Sequence, residues 1–363
     1  MKVLHIYAGN LFGGIETFLI TLAKSQHLCP DMEAHFAVCF EGRLSQELSL
    51  QGSPVHLLGN VKVSRIWTVW RSQQELKRLI AQENFDVVVC HACWSQAIFG
   101  GITKKASVFW CHDAVTGQHW LELWARLIKP NLAIANSQYT LEFLQKFYLN
   151  IPTEVILCPI YPSQAHDPTQ IRESLNSSSE KVVIVQVSRL ERWKGHALLL
   201  SALGELKDLE TWECWIIGGA QRDHEEVYLQ ELKEQAHKLG IDRQVKFLGQ
   251  RSDVPNLLKA ADIHCQPNMG AEPFGITFIE ALYAGLPVVT TNIGGGAEIV
   301  NSSCGILVEA NNVMKLSAAL RSLINNKSQR EQFGSNGYAR AKYLCDPEQQ
   351  VNKLQSILQS LLS

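Results

Sequence analysis

Short apolar runs without polar alternation recur along the chain, and segments with apolar residues at helical spacing separate them. The first half contains VLHIY, HFAVCF, FDVVVC, SVFWC, LAIA and EVILC, and the second half contains KVVIVQV, WECWII, VKFLG, ADIHC and PVVTT. Runs of this kind are typical of parallel strands covered on both faces. The pattern therefore predicts an α/β fold with two doubly wound, Rossmann-like parallel sheets.

A polar stretch divides the two halves of this pattern. Residues 160–181 are rich in Pro and Ser and lack a long apolar periodicity. We therefore expect an N-terminal domain over 1–160 and a C-terminal domain over 161–346. The last segment, 347–363, has apolar residues at helical spacing and must pack on one of the two domains; these residues are Val351, Leu354, Ile357, Leu358 and Leu361.

The overall composition excludes several classes of protein. Lys and Arg number 33 against 35 Asp and Glu, a net charge of −2, so the molecule offers no field that would attract nucleic acid. Ten cysteines lie mostly inside apolar runs, which favours a reducing, cytoplasmic location over a disulfide framework. No apolar run approaches the ~18 residues of a membrane span. We expect a soluble or at most peripheral protein.

A glycine pair follows the first predicted strand and precedes an apolar helical segment. Gly13 and Gly14 would let an anion approach backbone N–H groups at a helix N-terminus. The same residues also suit a plain tight turn, because the spaced G-x-G-x-x-G fingerprint of dinucleotide sites is absent. The loop alone leaves both interpretations open.

A basic loop, VSRLERWKG, follows the first strand of the second half. Ligands of open α/β sheets bind beyond the carboxyl ends of strands, so Arg189 and Lys194 are placed where two cations would hold a diphosphate. A solvated surface loop is the alternative. No Asp-x-Asp occurs in the chain, so the usual carboxylate motif for a divalent cation on phosphates is missing.

Two carboxylates lie eight residues apart in QPNMGAEPFGITFIE. If Glu272 and Glu280 were joined by continuous helix, they would be about 12 Å apart along its axis. That distance speaks against a shared acid/base pair. We expect the two carboxylates to contact different parts of one elongated ligand.

The segments GGIE, VSRLERWKG and EPFGITFIEALYAGLPVVTTNIGGGAEIV, taken together, resemble the family 4 retaining glycosyltransferases, or glycosyl transferases group 1. The likeness extends over nearly the whole chain and implies the GT-B architecture, in which two Rossmann-like domains face a central cleft. It also implies transfer of a sugar from a UDP- or GDP-sugar to an acceptor such as a growing polysaccharide or a lipid-linked glycan. The resemblance implies an acceptor-side first domain that carries the last helix, a nucleotide-sugar-binding second domain, and no metal or other cofactor.

The resemblance further implies roles for single residues. Arg189 and Lys194 would clamp the phosphates, Glu272 would bind sugar hydroxyls, and His112 would contact the transferred sugar. These four form the expected catalytic set. Glu280 would bind the ribose, and the expected donor-binding set is Gly13, Gly14, Phe274, Gly275, Ile276, Thr277 and Glu280.

Residues 62–80 support two interpretations. Basic residues and the interleaved Trp67 and Trp70 suit peripheral contact with a membrane. Apolar residues that continue at helical spacing through Leu76 and Ile80 favour a helix that covers the first domain.

Other functions remain as alternatives. Cys90, His91 and Cys93 with Cys111 and His112 suggest a zinc site, but they lack the paired C-x-x-C spacing of structural zinc sites. A catalytically silent nucleotide-sugar-binding protein on the same fold is the main rival from another class. A phosphorylase would need a longer chain, an epimerase would lack the EPFGITFIE arrangement, and a dehydrogenase would need the glycine fingerprint.

Overall fold

The computed structural model describes residues 1–9, 13–162 and 167–362. Contacts divide the chain into two compact units, which we call the first and the second domain. The first domain comprises Met1–Tyr161 and Cys345–Ser363, and the second comprises Pro162–Leu344. The divisions lie within two residues of the boundaries expected from the sequence.

The first domain contains a sheet of seven strands, all paired in parallel, in the order β3-β2-β1-β4-β5-β6-β7. Its strands are β1 (Lys2–Tyr7), β2 (Glu33–Val38), β3 (Val55–Leu57), β4 (Val87–His91), β5 (Ala106–Cys111), β6 (Leu132–Ala135) and β7 (Thr153–Val155). Its helices are α1 (Gly14–Lys24), α2 (Arg43–Leu50), α3 (Ile66–Glu83), α4 (Ala92–Phe99), α5 (Trp120–Leu127) and α6 (Gln138–Phe147).

The second domain repeats this plan with six parallel strands in the order β10-β9-β8-β11-β12-β13. Its strands are β8 (Val182–Val187), β9 (Trp212–Ile217), β10 (Val245–Gly249), β11 (Ile263–Gln266), β12 (Val288–Thr291) and β13 (Gly305–Val308). The helices that follow in the chain are α7 (Pro168–Ser174), α8 (His196–Gly204), α9 (Asp223–Leu239), α10 (Val254–Lys259), α11 (Ile276–Tyr283), α12 (Gly296–Ile299), α13 (Val313–Asn325), α14 (Lys327–Cys345) and α15 (Pro347–Ser360).

The central strands are fully buried, as the continuous apolar runs in the sequence predict. Every residue of β4 and of β8 is buried, which requires cover on both faces of each sheet. The predicted α/β class with two doubly wound, Rossmann-like sheets is confirmed. Two strands were not predicted, β3 and β13. Both are edge strands, of three and four residues.

The last helix, α15, packs within the first domain against the turn Ser25–Leu28. Val351, Leu354 and Leu358 are its buried apolar residues. The backbone N–H of Leu157 donates to Oε1 of Gln350 at 3.1 Å, which fastens the helix beside the end of β7. The helical spacing at the C-terminus therefore corresponds to a face buried on the first domain.

Helix α3 has two different halves. Leu76 and Leu79 are buried against Phe85, so the second half covers the sheet. Ile66, Trp67 and Trp70 in the first half are 79%, 64% and 60% exposed. Within the described parts of the chain, no helix has both the length and the apolar character needed to cross a membrane.

Each sheet has one point at which the chain reverses direction across it. In the first domain this point lies between β1 and β4, and in the second between β8 and β11. Loops that leave the carboxyl ends of two such strands run apart and open a crevice, where ligands of doubly wound folds bind. The expected site residues belong largely to these loops.

Candidate functional site

The loops after β8 and β11 approach each other closely in the second domain. Gly195 has φ +78°, and a Cβ there would lie 1.9 Å from the carbonyl oxygen of Pro267. Only glycine permits this approach. The backbone N–H of Met269 also donates to the carbonyl of Trp193 at 2.7 Å. These contacts fix the basic loop against the segment that leads to Glu272.

An ion pair joins the two loops. Nζ of Lys194 lies 2.5 Å from Oε2 of Glu272, and the two side chains are 11% and 12% exposed. The side-chain amides of Asn268 and Gln266 donate to the same carboxylate oxygen at 3.2 and 3.3 Å. Two opposite charges and two amides therefore compensate one another where little water reaches them.

Arg189 lies on the same basic loop and pairs with a different carboxylate. Its NH1 is 3.0 Å from Oε1 of Glu191, and the arginine side chain is 43% exposed. Nε1 of Trp193 donates to the other oxygen of Glu191 at 2.7 Å. The Trp193 ring in turn lies 4.0 Å from Nζ of Lys194. Glu191 and Trp193 thus connect the two cations.

A third loop, after β12, contacts the backbone of the Glu272 segment. Gly295 donates its N–H to the carbonyl of Glu272 at 2.7 Å. A Cβ on Gly294 would lie 2.5 Å from the carbonyl oxygen of Glu272, and one on Gly295 would lie 2.6 Å from that of Pro273. Gly294 and Gly295 therefore allow the backbone of this loop to pack directly on the backbone of the Glu272 segment.

The segment after Glu272 leads into the N-terminus of α11. Gly275 has φ +105°, a left-handed conformation that disfavours any other residue, and it turns the chain into the helix. Phe274 is buried beside this turn. Ile276 and Thr277 begin the helix, so their N–H groups have no carbonyl of a preceding turn to bond. A helix start of this kind favours an anion.

Glu280 lies on α11, five residues beyond Gly275. It is partly buried, and among the residues that the structure describes its carboxylate has no hydrogen-bond partner or ion pair. Burial without a compensating charge raises the pKa of Glu280 to about 7. Because no described residue is bonded to the Glu280 carboxylate, a ligand group can bind to it. Its burial disfavours the charged form.

In the first domain, the glycine loop is bonded to its own helix. The N–H of Gly13 donates to Oε2 of Glu16 at 2.9 Å, and Glu16 is buried. Gly13 has φ −165°, an extended conformation open to any residue, so its conformation does not explain the glycine. Gly14 is the first residue of α1. The preceding residues of the loop, 10–12, lie outside the described residues.

His112 directly follows β5 and is almost fully buried. Its Nε2 lies 2.9 Å from Nδ1 of His91, whose Nε2 lies 2.9 Å from Nδ1 of His5. Burial lowers the pKa of His112 and of His5 to about 3, and burial together with the two neighbouring rings lowers that of His91 well below its usual value. All three imidazoles are therefore neutral at neutral pH.

The second domain brings together eight of the eleven expected residues on the loops after β8 and β11 and on α11: Arg189, Lys194, Glu272, Phe274, Gly275, Ile276, Thr277 and Glu280. His112, Gly13 and Gly14 belong to the first domain. In the described part of the chain, no cluster of three His, Cys, Asp or Glu side chains is arranged to hold a metal ion, the group of Cys90, His91 and Cys93 included.

Five polar residues around the expected ones were not predicted as site residues from the sequence. Glu191, Gln266 and Asn268 contact Arg189 or Glu272. His91 contacts His112, and His5 contacts His91. Glu191 lies between the two cations in the sequence, but nothing in its spacing distinguished it from a solvated glutamate. His5 and His91 lie in predicted strands, and a histidine inside a buried strand is itself a signal that a polar partner is nearby.

Two family descriptions match consecutive parts of the chain. Residues 12–164 match Glycosyltransferase Family 4, and residues 167–340 match Glycosyl transferases group 1. The chain therefore belongs to the family 4 glycosyltransferases, as the three sequence segments indicated.

Individual relatives are similar over part of the chain. The lipopolysaccharide core biosynthesis mannosyltransferase of Rhizobium meliloti is 26% identical over 59% of this chain and 63% of its own length. A GDP-mannose-dependent phosphatidylinositol monomannoside mannosyltransferase of Corynebacterium glutamicum is 30% identical over 62% of this chain and 61% of its own. The chain thus spans about three fifths of the length of these curated relatives.

A solved structure provides a match over the full length. The crystal structure of the Anabaena protein HepE in complex with UDP and glucose is 25% identical, with a TM-score of 0.86, and covers 99% of this chain and 100% of its own. The similarity therefore includes both domains of the architecture.

The raised pKa of Glu280 predicts a pH-dependent stability. The folded protein holds this proton up to about pH 7, whereas the unfolded chain releases it near its ordinary value of 4.5. The unfolded state therefore binds fewer protons in this window, and the wild type should lose stability as the pH rises from about 5 to 8, on the order of 2 kcal/mol. Urea unfolding of wild type and Glu280→Gln across this range measures the effect.

The Gln variant carries no titratable group at this position and serves as the reference. Its stability relative to wild type should increase towards pH 8 and be smallest at pH 5. Parallel pH profiles of the two proteins would contradict a raised pKa at Glu280.

Proposed function

We propose that this protein is a retaining glycosyltransferase that moves a sugar from a UDP- or GDP-sugar to a polysaccharide or lipid-linked acceptor. The observation that carries the proposal is the Lys194–Glu272 pair at the switch point of the second domain. It joins a loop with two cations to the turn that opens α11. A ligand that contains a diphosphate and a sugar suits this arrangement of two cations, a carboxylate and a helix N-terminus.

The relatives support this choice of donor. HepE was solved with UDP and glucose, and the Corynebacterium relative is described as dependent on GDP-mannose. The Rhizobium relative is described as acting in lipopolysaccharide core biosynthesis, which supports a glycan or lipid-linked acceptor. Because the chain matches about three fifths of the curated relatives, the activity is our proposal for this protein.

Charge development during the reaction explains the arrangement. Cleavage of the glycosyl phosphate bond places negative charge on the departing diphosphate and positive charge on the sugar. Arg189, Lys194 and the start of α11 stabilise the first charge. In the free protein Lys194 is neutralised by Glu272, so donor phosphates must share or replace that carboxylate. Glu272 is then available for sugar hydroxyls.

The remaining roles follow the family resemblance. Glu280 binds the ribose, the backbone at Phe274, Gly275, Ile276 and Thr277 approaches the sugar and phosphates, and Gly13 and Gly14 leave room for donor or acceptor. His112 contacts the transferred sugar. No metal takes part in this mechanism, because the two cations supply the positive charge.

We expect transfer or donor hydrolysis to persist in excess EDTA. The donor is chosen among UDP-, GDP- and ADP-sugars as the one that raises the melting temperature most. Arg189→Ala should lower turnover of that donor by about 100-fold or more, since a cation directed at developing charge is worth about this much. Lys194→Ala should have a similar or milder effect, because an ammonium offers no planar fork for two phosphate oxygens.

Arg192→Ala is the matched control for Arg189→Ala. Arg192 belongs to the same loop but pairs with Glu231, an exposed residue of α9, so its removal should leave turnover near wild type. Activity that disappears in EDTA and returns with Mn²⁺ or Mg²⁺, with Arg189→Ala as active as wild type, would refute the mechanism.

The two carboxylates should separate nucleotide binding from sugar transfer. Glu280→Ala should weaken binding of free UDP or GDP about ten- to a hundredfold, the value of a charged hydrogen bond. Glu272→Ala should leave this affinity unchanged or increase it, because Lys194 loses its competing carboxylate. It should instead reduce donor turnover. Calorimetric titration with UDP and GDP, together with donor kinetics, gives both quantities.

Equal losses of UDP or GDP affinity in the two variants would show that the roles are misassigned. Their melting temperatures provide the control for folding, because Glu272→Ala also leaves Lys194 without its partner.

We further propose a cytoplasmic protein that contacts the inner face of a membrane through residues 62–80. None of the ten cysteines, all of which lie in the described parts of the chain, forms a disulfide, which fits a reducing compartment. Ile66, Trp67 and Trp70 are exposed on the first half of α3, and Lys62, Arg65 and Arg71 lie beside them in sequence. Aromatic and basic residues in this combination suit an anionic lipid surface.

Sedimentation with vesicles tests this contact. Wild type should pellet with phosphatidylglycerol-containing vesicles more than with pure phosphatidylcholine, and Trp67→Ser with Trp70→Ser should abolish the difference. Met314→Ser removes an equally exposed apolar residue from the second domain and should change nothing. Equal sedimentation of wild type and the double variant would exclude this surface.

A further inference from the structure

Three histidines from three adjacent strands form one hydrogen-bonded row in the first domain. His5 lies on β1, His91 is the last residue of β4, and His112 follows β5. These strands are neighbours in the sheet. The nitrogen atoms that face each other are 2.9 Å apart at both contacts. The row therefore leads from the interior of the sheet to the carboxyl end of β5.

Aromatic rings hold the row in place. Trp110 stacks on His91 with a centroid distance of 5.5 Å and on His112 at 6.0 Å. Phe18 contacts the rings of His91 and His112 from another side, at 5.9 and 5.4 Å. His5 and His91 are 1% and 0% exposed, whereas His112 is 8% exposed. Only the His112 end of the row reaches the surface.

The two ends of the row determine where its protons lie. Each neutral imidazole carries one N–H, so both hydrogen bonds must point in the same direction. If they pointed towards His5, Nε2 of His5 would be a buried donor, and no described residue accepts from it. If both hydrogen bonds point towards His112, Nε2 of His5 carries no proton and is an acceptor without a partner. Buried donors without partners are the rarer and less favourable case.

The second direction defines the state of His112. Nδ1–H of His5 donates to Nε2 of His91, and Nδ1–H of His91 donates to Nε2 of His112. The proton of His112 must then lie on its own Nδ1. Among the described residues no side chain or carbonyl is bonded to that atom, and it belongs to the end of the row that lies nearest the surface.

We infer that His91, whose Nε2 is bonded to His5, is a positioning residue that locks His112 in its Nδ1–H tautomer. His112 thereby presents a fixed N–H donor, suited to a hydroxyl or phosphate oxygen of a ligand. The identity of this ligand as the donor sugar rests on the proposed function. The tautomer itself does not, because it follows from hydrogen bonds inside the first domain.

Nitrogen NMR of protein labelled with ¹⁵N-histidine reads the tautomer directly, without substrate. At neutral pH, His112 of the wild type should be protonated on Nδ1 and bare on Nε2. His91→Phe keeps a ring on Trp110 but removes both hydrogen bonds, so the other tautomer of His112 should become populated. His91→Asn places an amide donor where Nδ1 was and should restore the wild-type tautomer. His5→Phe should keep the wild-type tautomer, because Nε2 of His91 then becomes the buried atom that would be a donor without a partner in the reverse direction.

His56→Phe is the matched control. His56 bonds to His35 at 3.0 Å in a second histidine pair of the same domain and has no bond to the row. It should leave the signals of His112 unchanged. With UDP-glucose or GDP-mannose as donor, His91→Phe should lower kcat about tenfold at constant KM, the loss expected for one hydrogen bond of this kind, and His91→Asn should recover most of it.

Protonation of His112 on Nε2 in the wild type would overturn the inference, as would an unchanged tautomer in His91→Phe. If the tautomer behaves as expected but neither UDP-glucose nor GDP-mannose nor another nucleotide sugar is turned over, the positioning role stands and the proposed function fails. If the sugar is transferred but His112 is protonated on Nε2, the proposed function stands and the positioning role fails.

Discussion

The contact between Lys194 and Glu272 is the interaction on which the second-domain site depends. Moving either charge alone out of water is unfavourable by several kcal/mol, and their mutual attraction with two added amide hydrogen bonds offsets this. The pair also determines geometry, because it connects loops that leave β8 and β11 on opposite sides of the switch point. Gly195 and the Gly294–Gly295 pair are needed for the same reason, since a side chain at these positions would push the three loops apart.

Charge is balanced within this site before any ligand binds. Arg189 is paired with Glu191, and Lys194 is paired with Glu272. Glu280 differs from these carboxylates, because burial without a cation raises its pKa. A ligand with a diphosphate would therefore rearrange existing pairs on the basic loop, while a ligand hydroxyl would meet a carboxyl group that has no partner among the described residues. In the first domain the buried polar groups are uncharged, since burial keeps three histidines neutral and two hydrogen bonds join them in a row.

Much of the fold was predictable because buried parallel strands have a strong local signature. The run KVVIVQV contains β8, and the run FDVVVC contains most of β4. All residues of both strands are buried. The edge strands β3 and β13 were missed, whereas the equally short β7 was found because the run EVILC continues past it through buried Ile156 and Cys158. The partners of the site residues were missed for another reason. Glu191 and Asn268 are ordinary polar residues whose importance arises only when their loops meet.

The sequence by itself determined the fold class, the family and the loops that carry the site chemistry. Apolar periodicity is a local property, and the spacing in VSRLERWKG and EPFGITFIE is retained in the chain whatever its tertiary structure. Tertiary structure alone decided which charges pair, because Lys194 and Glu272 are 78 residues apart in sequence. It likewise decided that His5, His91 and His112 form one row, since strand order in a doubly wound sheet differs from chain order and places β1 beside β4. Hydrogen bonds and pKa values follow from such neighbours, and no local pattern encodes them.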